Sequence, residues 1–216
     1  MKINTLIAAA AIALTTSSAF AYEPGDMVVR AGLTNVAPDE SSSNVFIGAT
    51  DVGVGVNVDS NTQLGLNFAY FIDSNWAIEL LAATPFDHDI GLNTVGALGS
   101  TKHLPPTLSA NYHFMDANSA FQPYIGVGVN YTIFFDEDFT SANEAAGFAD
   151  LSLDDSFGLS YQVGFDYMLN DKWLINASAR FIDIDTEATF TNNGTPGKVD
   201  VDIDPYVYSL TIGYKF

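Results

Sequence analysis

The sequence predicts an all-β fold: an eight-stranded antiparallel transmembrane β-barrel with short periplasmic turns and long extracellular loops. Three observations carry this. Large apolar or aromatic residues alternate with small or polar ones in segment after segment, which is the period of a strand and not of a helix. The connections between these segments are alternately tight and long, as in barrels that cross an outer membrane. The face opposite the apolar one carries Gly, Ser, Thr and Asn, where a soluble exterior would carry Lys and Glu.

The first element of the chain is an address. Met1-Lys2 is a short positive start, Ile3 to Leu14 is an apolar run, and Ala19-Phe20-Ala21 is an A-x-A cleavage pattern. Residues 1–21 therefore read as a secretory signal peptide. The apolar run is too short to cross ~30 Å of hydrocarbon as a helix. Cleavage after Ala21 leaves 22–216 as one barrel domain. No later stretch reaches about 18 consecutive apolar residues, so no helical span is expected.

Eight strand segments follow, at about 26–36, 62–72, 76–86, 103–114, 121–135, 156–169, 173–184 and 201–216. Gln63 to Tyr70, Gly126 to Ile133, Ser156 to Tyr167 and Val207 to Phe216 show the alternation most clearly. Asp73-Ser74-Asn75, Met115 to Ala120 and Asn170-Asp171-Lys172 are tight polar turns, whereas 37–61, 87–102, 136–155 and 185–200 are long loops. Tilted strands of ~9–11 residues suffice to cross a bilayer. An even strand number puts both termini on the short-turn side. Aromatics near the segment ends, among them Tyr70, Phe71, Trp76, Phe86, Tyr124, Phe134, Trp173 and Tyr206, suit interfacial belts. A short helix is expected in the 136–155 loop, where Ser141-Ala142-Asn143-Glu144 matches a capping box.

Composition agrees with this reading and excludes others. The chain has 216 residues, 26 acids against 7 bases, a formal charge of −19 and 48% hydrophobic residues. That hydrophobicity excludes an acidic disordered tail. With no cysteine, disulfide and zinc–thiolate scaffolds are excluded. Nucleic acid is not an expected partner, because phosphate binding needs a basic surface. Of the 26 acids only Glu79 and Asp166 fall in the strand cores. The remainder belong to loops, turns and rims, so the net charge describes the watery ends of the barrel.

Several motifs make the chain resemble the outer-membrane protein W family of small bacterial barrels. They are Asn61-Thr62-Gln63-Leu64-Gly65-Leu66, Glu79 to Phe86, His103-Leu104-Pro105-Pro106-Thr107-Leu108, Pro123 to Thr132 and Asp150-Leu151-Ser152-Leu153, in order along the whole mature chain. The resemblance implies a bacterial outer-membrane location and a narrow, partly hydrophobic lumen. It also implies passage of small hydrophobic molecules, with exit sideways into the membrane. Lipid and lipopolysaccharide would surround the barrel. Family members are similar to surface proteins exploited by toxins or phage, and the closing Tyr214-Lys215-Phe216 resembles the aromatic signature read by the barrel assembly machinery.

Strand parity assigns the interior. With the greasy face outward, Arg30, Glu79, Asp166 and Arg180 point inward, the first three at similar depth near the short-turn end. Unpaired charge in a closed interior is costly, so ion pairs are expected among them. Together they would form a polar plug. Nearer the long loops the candidates become apolar: Leu81, Ile90, Leu104, Pro105 and Phe157 form an expected hydrophobic mouth or gate. Phe157 reaches it only if a bulge shifts its strand. Pro105-Pro106 removes two ladder donors, so pairing should be interrupted there.

Other chemistry is set aside. His88, Asp89 and a loop serine form no nucleophile pattern, so neither an enzyme nor a cofactor is expected. Asp136-Glu137-Asp138, Asp183-Ile184-Asp185 and Asp200 to Asp204 fit no calcium-loop spacing and read as solvated rims, not a metal site. The competing functional reading is a non-transporting surface barrel, structural or adhesive, acting through its acidic loops.

Overall fold

The computed structural model describes residues 22–93 and 96–216, so the expected signal peptide at 1–21 lies outside the described residues. Eight strands build the barrel: β1 Met27–Ala37, β2 Asn61–Phe71, β3 Trp76–Ala83, β4 Thr107–His113, β5 Phe121–Phe139, β6 Ser156–Met168, β7 Trp173–Ile182 and β8 Tyr206–Lys215. Each pairs antiparallel with its sequence neighbours, and β8 returns to pair with β1 along Val28–Lys215 to Ala37–Tyr206. Closure leaves no strand edge, which is what a sheet needs to exist in hydrocarbon. Among the described residues no helix is long and apolar enough to cross a membrane; the strands do so instead.

The tight turns follow from local side-chain chemistry. The Asp73 carboxylate accepts from the backbone N–H groups of Asn75 and Trp76 at 2.8 and 2.7 Å, and Asn170 Oδ1 accepts from those of Lys172 and Trp173 at 3.0 Å each. Both are Asx turns, in which the side-chain oxygen caps the backbone of the reversal. Outward positions form a continuous apolar band that includes Leu64, Phe68, Ile125, Val127, Val163, Leu210 and Ile212. Inward positions are small because the interior is narrow. A Cβ at Gly126 would lie 2.1 Å from Asn111 Oδ1, and one at Gly164 2.6 Å from the Tyr124 ring.

Above this band the structure departs from the expected loops. Phe86–Leu92 pairs with Gly96–Leu104, and Asp185–Asn192 pairs with Thr195–Asp202. β5 runs on to Phe139 and carries the first of these hairpins past a bulge between Phe135 and Asp138. The 37–61 stretch adds short strands, of which Val56–Val58 pairs with the first hairpin and Phe46–Ile47 with the second. The barrel wall therefore continues beyond the membrane, and its polarity reverses. Phe86, His88 and Ile90 point inward, while Asp87 and Asp89 point out; Val199 and Val201 point inward, while Asp200 and Asp202 point out. Once the exterior is water, the apolar face belongs inside. Four expected belt aromatics are buried in the lumen instead: Phe86 and Phe134 above the membrane band, and Phe71 and Tyr124 at the periplasmic end.

The expected helix forms at Ser141–Ala145, but one residue out of frame. Thr140, not Ser141, is the N-cap, and its hydroxyl accepts from the Asn143 N–H at 3.4 Å. Glu144 lies in the first turn and has no reciprocal bond to the cap.

Leu210 sits at mid-height of β8, 60% exposed. Leu210→Arg should destabilise the protein by about 2–4 kcal/mol in lipid vesicles, the expected cost of arginine on the lipid face near the midplane. Urea unfolding in vesicles measures it; a cost near zero would mean that this face meets water.

Candidate functional site

The inward residues of β1 read the lumen from bottom to top. Val28 lies at an aromatic floor, Arg30 in a charged layer, Thr34 beside a small polar space, and Val36 in an apolar cup. Eight residues at ~3.3 Å each put the floor and the cup roughly 26 Å apart along the strand.

The floor is built from Tyr22, Phe71, His113 and Tyr124. Tyr22 stacks on Phe71 at a centroid distance of 3.7 Å, and His113 contacts Tyr22 and Tyr124 at 5.1 and 4.9 Å. The Tyr22 hydroxyl donates to Asp166 Oδ2. Residues just before β1 thus fold back into the barrel and close its periplasmic end.

Immediately above lies the charged layer. Arg30 grips Asp166 with two hydrogen bonds, Nη2 to Oδ2 at 2.6 Å and Nε to Oδ1 at 3.1 Å, and reaches Glu79 Oε2 with Nη1 at 3.2 Å. Arg180 lies higher on its strand, yet its Nη2 meets Glu79 Oε1 at 2.6 Å. All four expected plug residues are therefore in one network. The sequence pattern does not single out the four amides that complete it. Asn67 accepts from Arg30, Asn111 and Gln162 donate to Glu79, and Asn176 donates to Asp166, all at 2.9–3.0 Å. Two buried carboxylates balance two buried guanidiniums, the condition under which charge tolerates a dry interior. Lys215, the remaining inward cation by parity, pairs with Asp26 at 3.3 Å near the periplasmic end.

Between plug and cup is a polar space of about 10 Å³, lined by Thr34, Leu81, Ser178, Ser209 and Thr211 among others. It has room for about one water molecule.

The cup is a cavity of about 80 Å³ and almost wholly apolar. Val36, Val56, Ile90, Phe134, Phe190, Val199, Val201 and Ile203 line it. The upper hairpins and the 37–61 stretch supply most of these, so the cup exists only because those segments close above the membrane. Of the expected mouth residues, Ile90 lines the cup and Leu81 lies one layer lower. Pro105 is buried in the wall. Leu104 and Phe157 do not reach the lumen. Leu104 pairs with Ile133 and Phe157 with Tyr131, and directly paired residues share a face. Ile133 and Tyr131 are both exposed on the outside. β6 runs unbulged through Phe157, which is 70% exposed, so its outward parity stands. The cup was legible only as a reversed alternation, Val199-Asp200-Val201-Asp202-Ile203-Asp204, whose acids draw the eye and whose aliphatic residues do the lining.

The wall is broken beside the cup. The β3–β4 ladder ends at Leu81–Thr107 and resumes only at Phe86–His103, across Pro85 and Pro105-Pro106. On the other side, Thr84 donates to the Leu64 carbonyl at 3.1 Å and to Gln63 Oε1 at 3.3 Å, and the next backbone bond runs from the Asp59 N–H to the Asp89 carbonyl at 3.2 Å. The proline pair thus interrupts the wall as its missing donors require.

The description OmpW family matches residues 23–216. The chain belongs to the OmpW family. It is 47% identical over 209 residues to Outer membrane protein W of Vibrio cholerae serotype O1, with 94% of each chain covered. It is similar to the crystal structure of OprG from Pseudomonas aeruginosa, at 46% identity and a TM-score of 0.89, covering 92% of this chain and 99% of that one. A more distant relative is the dibenzothiophene metabolism operon protein PahQ of Pseudomonas aeruginosa, 27% identical over 197 residues and covering 90% of each chain. As an OmpW-family barrel the protein resides in the bacterial outer membrane, surrounded by lipid and lipopolysaccharide.

Outside the membrane span, two further groups of this OmpW-family barrel are perturbed. Burial in the cup wall pushes His88 down and His103 down to about 3. At the outer rim the Asp183, Asp185 and Asp204 carboxylates lie within 4.8 Å of one another. Partial burial and the neighbouring acids hold Asp185 and Asp204 above the usual carboxylate range.

Two outcomes follow from this geometry. Glu79→Leu leaves Arg30 and Arg180 short of a counter-ion and should cost about 3–5 kcal/mol, read by urea unfolding in vesicles. For His103, the folded value lies below the ordinary 6.5, so the opened hairpin binds a proton that the closed one refuses. The closed form is fully favoured above pH 6.5 and loses stability as pH falls towards about 3. Amides of 86–104 should exchange faster at pH 5 than at pH 7 after correction for intrinsic rates, and His103→Phe should flatten that difference.

Proposed function

We propose that this barrel admits small apolar solutes from outside through the extracellular cup and releases them sideways, through the broken wall at Pro85 and Pro105-Pro106, into the lipid. The apolar cup carries this reading: a closed, water-poor surface there gains about 25 cal/mol for each Å² of apolar solute it covers. Axial passage is opposed by the Arg30–Asp166–Glu79–Arg180 layer and the Tyr22 floor beneath it. The break in the ladder lies at the level of the cup, so a lateral route does not cross the plug. That the name of the relative PahQ mentions dibenzothiophene metabolism is consistent with an apolar solute.

At about 80 Å³ the cup is tighter than the ~150 Å³ apolar cavity known to hold benzene, so even one ring requires the valine- and phenylalanine-lined walls to part. The upper hairpins are the moving parts in this reading, and the plug stays shut.

Cells expressing the barrel should take up an apolar solute faster than cells lacking it. Val201→Asp, which places a carboxylate in the cup, should return uptake to the level of the deletion while the barrel still folds. In planar bilayers the wild type should conduct far less than a large porin. Uptake unchanged by deletion, or a porin-sized conductance, would count against the proposal.

A further inference from the structure

The cup is not uniformly apolar. Its polar liners are Thr101, Thr186, His88 and His103. The threonine hydroxyls are occupied, donating to the Lys102 and Asp154 carbonyls at 3.4 and 2.7 Å. The histidines are not: His88 Nε2 and His103 Nε2 are both buried without a hydrogen-bond partner. The rings are 2% and 4% exposed, so neither nitrogen is served by bulk solvent. Nor can they serve each other. They stack at a centroid distance of 4.9 Å with planes 11° apart, and ring nitrogens bond in the ring plane. Two orphaned polar atoms in one apolar cavity carry a standing desolvation cost, which a matching ligand group would relieve.

The chemistry of that group follows from the protons. His88 Nδ1 lies 2.5 Å from the Asp59 carbonyl oxygen, which can only accept, so Nδ1 holds the hydrogen. Burial keeps the ring neutral, so Nε2 is a bare acceptor that requires a donor. No bond in the structure sets the His103 tautomer. A hydroxyl suits either form, because it donates once and accepts twice. A carboxylate would bring charge into a cavity with no cation, at high cost.

We propose that His88 and His103 form a polar reader within the cup, which selects apolar molecules bearing a hydroxyl (phenols and alcohols) over hydrocarbons of the same shape. This deepens the reading of the cup as a site for apolar solutes and rests on it.

Phenol and toluene are near-isosteric and separate the two ideas. The full chain in lipid nanodiscs, with labelled histidine and valine, is titrated with each at pH 7 and followed by NMR. Toluene should shift the Val199 and Val201 methyls, and phenol should shift both these and the two Nε2 signals. His103→Phe, which preserves ring stacking against Phe86, should weaken phenol about five- to tenfold and leave toluene as tight or tighter. His88→Phe should do the same, and retention of the heat-modifiable gel shift reports that each barrel is folded. If His103→Phe changes phenol and toluene binding equally or not at all, the reader is overturned while the apolar cup stands. If neither compound moves the valine methyls, both readings fall.

Discussion

Hydrocarbon offers no hydrogen-bond partner, so every backbone N–H and C=O within the membrane must be satisfied by the chain itself. The β1–β8 seam meets that condition and the rest of the architecture follows from it. A closed wall of eight strands encloses a space barely wider than its own side chains. That space must be filled, which explains glycine at positions such as Gly126 and Gly164 and the dense Asn and Gln shell around the charges. Breaking closure anywhere would expose unpaired backbone to lipid. The ladder interruption at the prolines lies above the paired core of β3 and β4.

The interior is a stack of chemically distinct layers because the exterior changes from water to lipid and back to water. Inside the band, outward residues are apolar and the lumen takes the small and polar ones. Above it, the outward residues are Asp and Glu, and the lumen takes valine, isoleucine and phenylalanine. The same alternation, with its sign reversed, thus yields a polar plug in the membrane and an apolar cup outside it. A charged layer stable in a dry interior demands balance, and Arg30, Arg180, Glu79 and Asp166 supply two of each sign.

The two histidines of the cup bring unpaired nitrogen into an almost wholly apolar cavity. The charged layer below is tied together by amides, with Arg180 Nη1 and both ring nitrogens of His113 in the floor left without a partner, and the cup leaves two more imidazole nitrogens bare. His103 pairs with Phe86 at the first position past the ladder break, so the cup and the break share one segment.

The sequence by itself determined the strand count, the closed antiparallel wall, the side of each turn and the inward identity of Arg30, Glu79, Asp166 and Arg180. Each of these rests on the period-two rule and on turn chemistry, which act over a few neighbouring residues. Only the tertiary structure decided what lies across the lumen. Arg180 meets Glu79 through strand stagger, Tyr22 folds under Asp166, and Phe157 and Leu104 face outward because their strands keep register there. The cup escaped sequence reading for the same reason. Its residues come from four separate segments that look like acidic loops, and they face a common centre only when the wall continues past the membrane, where water turns the alternation inside out.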